Sequence, residues 1–370
     1  MKRILAGLCL ALAWAGSVPA QEPDAYFDKP DDPFRLKGDI LFRREWTREL
    51  FGDLPDQGRW RGQVRPRLEM SFKRLEFTVG GELNYSSDEN TKPPEGATQL
   101  TLLRDNYKSR EARLDLASAR LQLFKWLRLD AGRMVMPVPL TEMLWDRDLR
   151  PQGAAATLSL HDRQGAELFS LAALGARGGH VFDDDKTDML LVSAAVVKHS
   201  QKQRAEFRAS YLEFRQLAEL EPLLRRQNSR LTPGGLVPDD YQIIDLIGRI
   251  RSDGALPSEI VVDYAWNRKK EAHNKAFWLA LVLGSTVSSR SRGEYVYSRV
   301  DPDATVAAYN SDDFFWATAW EGHRVDFGVR AGQGSAIHTV AQIMRPKDSS
   351  NPEERDHWIK RFRTELRWTF

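Results

Sequence analysis

Hydrophobic and polar residues alternate along this chain with a period of two, in many separate stretches. From Gly62 the even positions Val64, Pro66, Leu68, Met70 and Phe72 are apolar, while Arg61, Gln63, Arg65, Arg67 and Glu69 lie between them. After Lys73-Arg74 the phase flips. Leu75, Phe77, Val79, Leu83 and Tyr85 then share one face, and Glu76, Thr78, Glu82 and Asn84 the other. A period of two is that of a strand with two unlike faces, and the turn between the runs makes a hairpin. The same alternation recurs at Leu36 to Arg43, Ala112 to Leu116, Leu127 to Ala131, Arg204 to Tyr211, Arg324 to Ala331 and Arg361 to Phe370. Three runs are apolar on both faces: Leu168 to Leu174, Leu190 to Val197 and Phe277 to Leu283. Their alternate residues are often Ala or Ser, which fits an inner wall covered by a loop, or equally a buried soluble strand.

Seventeen segments read as strands, many of about 10 residues or more, where soluble sheets use about 5–6. Short turns at Lys73-Arg74, Lys125, Asp162 to Gln164, Ser200 to Lys202 and Gly332 to Gly334 alternate with long polar connections. That is the plan of an all-β, transmembrane antiparallel barrel with short periplasmic turns and long outer loops. A closed bacterial barrel has an even number of strands. Placing Gly332 to Gly334 on the periplasmic rim makes Asp301 to Trp320 one outer loop, so Phe314-Phe315-Trp316 is loop and sixteen strands remain. The longest outer loop, 215–240, is the expected one to fold into the lumen.

The ends frame this barrel. Lys2-Arg3, an apolar run from Ile4 to Ala15 and Val18-Pro19-Ala20 read as a secretory signal over 1–20, cut before Gln21. A short periplasmic leader over 21–34 and the barrel over 35–370 follow. Cys9, the sole cysteine, leaves with the signal, so no disulfide is expected in the remainder. Losing Lys2 and Arg3 from 54 basic residues balances the chain against its 52 acidic ones, which gives no reason to expect a nucleic-acid partner. No apolar run after residue 20 is long enough for a helical span. A mean hydropathy of −0.50 suits a soluble protein and a barrel alike, because only alternate strand residues of a barrel meet lipid.

Several stretches resemble the putative porin family of Gram-negative outer membranes. They are Gly132-Arg133-Met134 through Pro137 and Trp145-Asp146-Arg147-Asp148 to Pro151-Gln152-Gly153-Ala154; Leu256-Pro257 with Val262-Asp263-Tyr264-Ala265-Trp266-Asn267; and Tyr295 to Val300, Asp303-Ala304 and Ser311-Asp312-Asp313-Phe314. Asn310-Ser311-Asp312 at the start of that last loop departs slightly from the family pattern. The terminal Phe370 resembles the signal by which barrel-assembly machinery reads outer-membrane proteins. The resemblance implies a porin: passive diffusion of small hydrophilic solutes, contact with lipid and lipopolysaccharide, and homotrimers by analogy. It implies no particular solute. A channel specific for sugars or carboxylates, an outer-membrane hydrolase and a soluble periplasmic β-protein are the alternatives.

The candidate chemistry is electrostatic. Arg61, Arg65, Arg67, Arg113, Arg128, Arg204, Arg208, Arg361, Arg363 and Arg367 fall on polar strand faces. In a narrow aqueous channel they would favour anions, with acidic loop residues opposite them setting up a transverse field. Alternatively they pair with Asp39, Glu69, Asp115, Asp130, Glu206 and Glu365 and brace the wall; both roles are compatible. No catalytic or metal motif occurs and no cofactor is expected. Of seven histidines only His161 and His338 fall on expected strands; a hydrolase would need a Ser–His or Asp–His cluster near the outer rim. Asp183-Asp184-Asp185 with Asp188 reads as a solvated acidic loop, or as a hard-cation site. Trp46, Trp60, Tyr85, Trp145, Trp266, Trp278 and Trp368 lie near strand ends, where an interfacial girdle would place them.

Overall fold

The computed structural model describes residues 33–48, 57–87, 112–178, 187–220, 241–254, 256–311, 313–314, 318–347 and 356–370. The signal, nearly all of the leader and the Asp183–Asp185 run lie outside these, as do most of the 215–240 loop and the Phe315-Trp316 step.

The alternating segments fold into sixteen antiparallel strands. The first five are β1 (Phe34–Arg48), β2 (Gln57–Phe72), β3 (Leu75–Ser86), β4 (Ala112–Phe124) and β5 (Leu127–Arg133). Next come β6 (Gln152–His161), β7 (Glu167–Arg177), β8 (Asp188–His199), β9 (Gln203–Arg215), β10 (Tyr241–Ser252) and β11 (Ser258–Asn267). The last are β12 (Lys275–Gly284), β13 (Ser291–Val300), β14 (Trp320–Gly332), β15 (Ser335–Pro346) and β16 (Ile359–Thr369). Each strand pairs with its neighbours in sequence, and β1 closes on β16 from Asp39↔Thr369 to Arg48↔Lys360. Closure leaves no sheet edge, as a sheet in hydrocarbon requires. The seam is fixed beyond the last ladder pair, where Gly38 and Phe370 exchange both backbone hydrogen bonds, 2.9 and 3.0 Å.

The two faces sort by chemistry. Phe42, Leu68, Leu83, Leu114, Phe207, Val325, Phe327, Phe362 and Leu366 are exposed, while Arg43, Glu45, Arg61, Arg208, Arg361, Arg363 and Glu365 are buried. Greasy rows outside and charged rows inside are the reverse of a soluble β-protein, and only a lipid surround stabilises that arrangement. Trp46 and Trp60 sit outside near the upper rim, with the Arg44 guanidinium over both rings at 5.1 and 4.8 Å. Tyr85, Trp266 and Trp368 also lie on outward-facing strand rows.

Some expectations shift. Trp145 and Trp278 are not girdle residues: both are buried inside the barrel, 4% exposed. β14 starts at Trp320, so His323 is a strand residue, and His199 closes β8. His323 Nδ1 lies 2.9 Å from the Tyr295 hydroxyl on the outer face. β5 stops at Arg133 because Gly132 has φ +111°, and a side chain there would collide with the Ala117 carbonyl. From that kink the chain turns inward.

Candidate functional site: the lumen and its infolded loops

The inner face of β16, β1 and β2 is a basic wall. Register sets Arg363, Glu45 and Arg59 in one row, Glu365, Arg43 and Arg61 in the next, then Arg367, Leu41 and Gln63. Below them Asp39 faces Arg65, Lys37 faces Arg67 and Arg35 faces Glu69. Basic groups outnumber acids on these three strands, so the wall carries a net positive field.

The opposite inner wall is largely apolar, with Glu206, Arg208, Asp245 and Asp263 as buried charged exceptions. Ala155, Ala172, Leu174, Leu191, Ile243, Ile247, Ala265, Ala276, Ala280 and Val296 are buried there. Two outer connections, residues 134–151 and 301–319, cover it. Met143, Leu144, Trp145 and Leu149 of the first and Ala304, Val306, Tyr309 and Phe314 of the second join these wall residues in one core. Tyr309 is sandwiched between Trp145 (5.5 Å) and Phe214 of β9 (5.1 Å). The loops also bind each other, Asp146 N–H to the Tyr309 carbonyl at 2.7 Å and Ser311 N–H to that of Glu142 at 2.9 Å. The both-faces-apolar strands are thus the floor of an infolded plug, as their small residues predicted. Among the described residues, those of 134–151 and 301–319 insert. Of the expected 215–240 loop only the first residues are described, where Leu217 and Leu220 join the same core.

The plug turns its acids to the charged groups. Asp313 accepts from Arg43 at 2.6 Å and from Arg363 at 2.7 Å. Asp148 pairs with Arg65, and Glu142 with Arg324 of β14 at 2.6 Å. Burial pushes the Asp313 carboxyl up, but Arg363, Arg43 and Arg61 outweigh it and hold it well below the usual carboxylate range. Asp148, under Arg65 and Arg150, and Glu142, under Arg324 and Arg147, are lowered against burial in the same way. These loop acids therefore stay ionised through neutral and mildly acidic pH.

All ten arginines singled out in the sequence point inward, and each pairs with an acid or acts on one through its charge. Arg65 meets Asp39 at 2.9 Å, Arg67 meets Glu69 at 3.4 Å, and Arg113 meets Glu82 at 2.9 Å. Arg128 meets Asp130 at 3.0 Å, and Arg204 and Arg208 meet Glu206 at 3.2 and 3.0 Å. Arg361 lies 3.8 Å from Glu45, Arg363 3.5 Å and Arg367 2.5 Å from Glu365, while Arg61 acts on Asp313. Wall bracing is therefore real, and it coexists with an excess of cations on one side. Arg113, Arg128, Arg204 and Arg208 stand apart from the β16–β1–β2 wall. The sequence list missed Arg43, Arg59 and Arg324 and the three loop acids. An Asp–His pair exists, Asp326 with His338 at 2.8 Å, but it faces the lumen on β14 and β15, with Arg292 3.8 Å from Asp326.

A closed sixteen-stranded barrel with an apolar exterior, a charged interior and infolded outer loops defines the porin-type architecture. Comparison with known proteins agrees. The family model described as putative porin matches residues 53–204. Among solved structures the chain is similar to Pseudomonas putida OprB at high pH, with TM-score 0.62, 8% identity, and 91% of this chain and 94% of that one covered. It is also similar to Salmonella typhi OmpF in complex with daunomycin, with TM-score 0.55, 14% identity and coverage of 91% and 97%. A mutant Rh. blastica porin follows at TM-score 0.51, 8% identity and coverage of 91% and 100%. At these identities the likeness is one of fold. No curated protein matches the chain in sequence.

Proposed function

We propose that this chain is an outer-membrane porin that passes small hydrophilic solutes by diffusion and favours anions, carboxylates among them. The observation that carries the reading is the basic wall of β16, β1 and β2 inside a barrel whose exterior is apolar. Fixed guanidiniums in a confined aqueous path lower the cost of an anion entering and raise it for a cation. The plug fills the apolar half of the lumen and reaches the charged half through the Asp148 and Asp313 carboxylates, so solutes are directed along the charged half beside them. On this reading Arg67 and Arg367, each 42% exposed, line the path with Arg65, while Arg61, Arg361, Arg363 and Arg43, buried in the wall, act on it through their charge. Arg113, Arg128, Arg204 and Arg208 act through their acid partners on the rest of the wall. The protein acts without covalent chemistry or cofactor.

The remaining parts follow the same reading. A signal over 1–20, removed before Gln21, delivers the chain to the periplasm, and a leader over 21–34 precedes the barrel. Phe370, which ends the strand closing the barrel, presents the chain to the assembly machinery. The exposed apolar belt meets lipid and lipopolysaccharide, and homotrimers are the assembly proposed by analogy.

Planar-bilayer recording of the folded protein in a KCl gradient tests the proposal. Discrete channel steps are expected, with a reversal potential on the anion-favouring side that weakens as salt screens the wall. A cation-favouring potential contradicts the selectivity; the absence of steps contradicts the channel.

A further inference from the structure

The plug's own anchor contains two carboxyl groups that the channel does not use. Asp245 of β10 and Asp263 of β11 point inward from diagonal positions on paired strands, and both are fully buried. The Asp245 carboxyl lies within side-chain hydrogen-bond reach of Asp263 and of the Ser210 hydroxyl, so the oxygens of all three converge. Asp263 Oδ2 accepts from the Thr141 hydroxyl of the infolded loop at 2.5 Å. Ser210 of β9 stands opposite Asp245. The guanidiniums that act on the pair are already committed, Arg208 to Glu206 at 3.0 Å and Arg249 to Glu259 at 3.0 Å.

Two buried carboxylates side by side cannot both stay charged without a counter-cation. Four carboxylate oxygens and two hydroxyls form a hard, all-oxygen donor set of the size Ca²⁺ takes. We propose that Asp245, Asp263, Thr141 and Ser210 form a buried Ca²⁺ site that clamps the 134–151 loop to the β10–β11 wall. The ion would neutralise the pair and tie strand to loop through Thr141. Its occupancy would set how firmly the plug is held. The site draws on the infolded-loop geometry alone and stands whether or not the channel favours anions.

Trp278 of β12 lies opposite Asp263 on the same inner face, which makes Tb³⁺ a usable probe. With the folded full chain in detergent, excitation of tryptophan is expected to sensitise Tb³⁺ emission, and Ca²⁺ to compete it away. Ca²⁺ is also expected to raise Tm relative to chelator. Asp245→Asn and Asp263→Asn should lose both effects while keeping the heat-modifiable gel migration of a folded barrel. Trp278→Phe should lose the emission and keep the Ca²⁺ shift in Tm, which holds the test open if an Asn variant fails to fold. Emission that persists undiminished in Asp245→Asn overturns the proposal. So does a wild-type Tm that ignores Ca²⁺ and falls only as rising pH strips a proton shared by the pair.

Discussion

Arg43→Glu combined with Arg363→Glu is expected to turn the anion-favouring reversal potential into a cation-favouring one. These two guanidiniums hold Asp313 between them at 2.6 and 2.7 Å, and Arg43 also reaches Glu365 at 2.8 Å. Each substitution replaces a cation by an anion where two carboxylates already stand. Unit charges about 4 Å apart interact by about 4 kcal/mol at the effective dielectric of a protein surface. The local potential therefore changes sign rather than merely weakening. The same repulsion drives Asp313 off the wall, so single-channel conductance should rise as well. Arg43→Gln with Arg363→Gln should give a smaller shift in the same direction and is the safer variant for folding. A reversal potential unmoved by the charge reversal would mean that ions do not pass this wall.

Tyr309→Ala is expected to loosen the plug and enlarge the channel without dissolving the barrel. Tyr309 is fully buried, stacked on Trp145 and Phe214, and packed so closely over Gly178 that a side chain there would overlap its ring. Truncating a large buried aromatic costs about 3–5 kcal/mol. The loss falls on loop-to-wall packing, because the ladder from β1 through β16 closes without this residue. Single-channel recording should show higher and noisier conductance. Heat-modifiable migration should remain, and proteolysis within 134–151 should become faster than in the wild type. Unchanged conductance would place the path elsewhere in the lumen.

The strands were legible because their alternation is imposed from outside: hydrocarbon accepts Leu366 and Phe362, and water or ion pairs accept Arg363 and Glu365. The count of sixteen followed from parity and from the turn at Gly332 to Gly334, and it put Asp301 to Trp320 in a loop, one residue longer than the structure, where Trp320 opens β14. What the sequence showed less well is which side of the rim a loop takes. The 215–240 loop was chosen on length, and most of it lies outside the described residues; in the two connections that are described, insertion follows the apolar surface there is to bury. Met143, Leu144, Trp145 and Leu149 supply that surface in one connection, and Tyr309 and Phe314 in the other. Such residues are too apolar for a solvated outer loop, and Ala155, Ala172, Ala276 and Ala280 leave room for them on the wall. Read together, those two signals identify the plug. Trp145 and Trp278 were misplaced because a strand-end tryptophan looks the same whether the rim or a plug receives it. The arginines were legible as inward residues. Their partners Asp148, Asp313 and Glu142 were not, since cross-lumen contacts leave no period in the sequence.

The measurement that bears most directly on the account is single-cysteine labelling of neighbours on β16. The chain's one cysteine, Cys9, lies in the 1–20 segment, so the barrel itself offers no native thiol to the reagent. Arg367 faces the lumen with its side chain 42% exposed, and Leu366 faces outward at 46%. In a planar bilayer, a water-soluble charged thiol reagent should step the current down in Arg367→Cys and leave Leu366→Cys unchanged. Block at Leu366→Cys with a silent Arg367→Cys would put the arginine row outside and end the case for a channel.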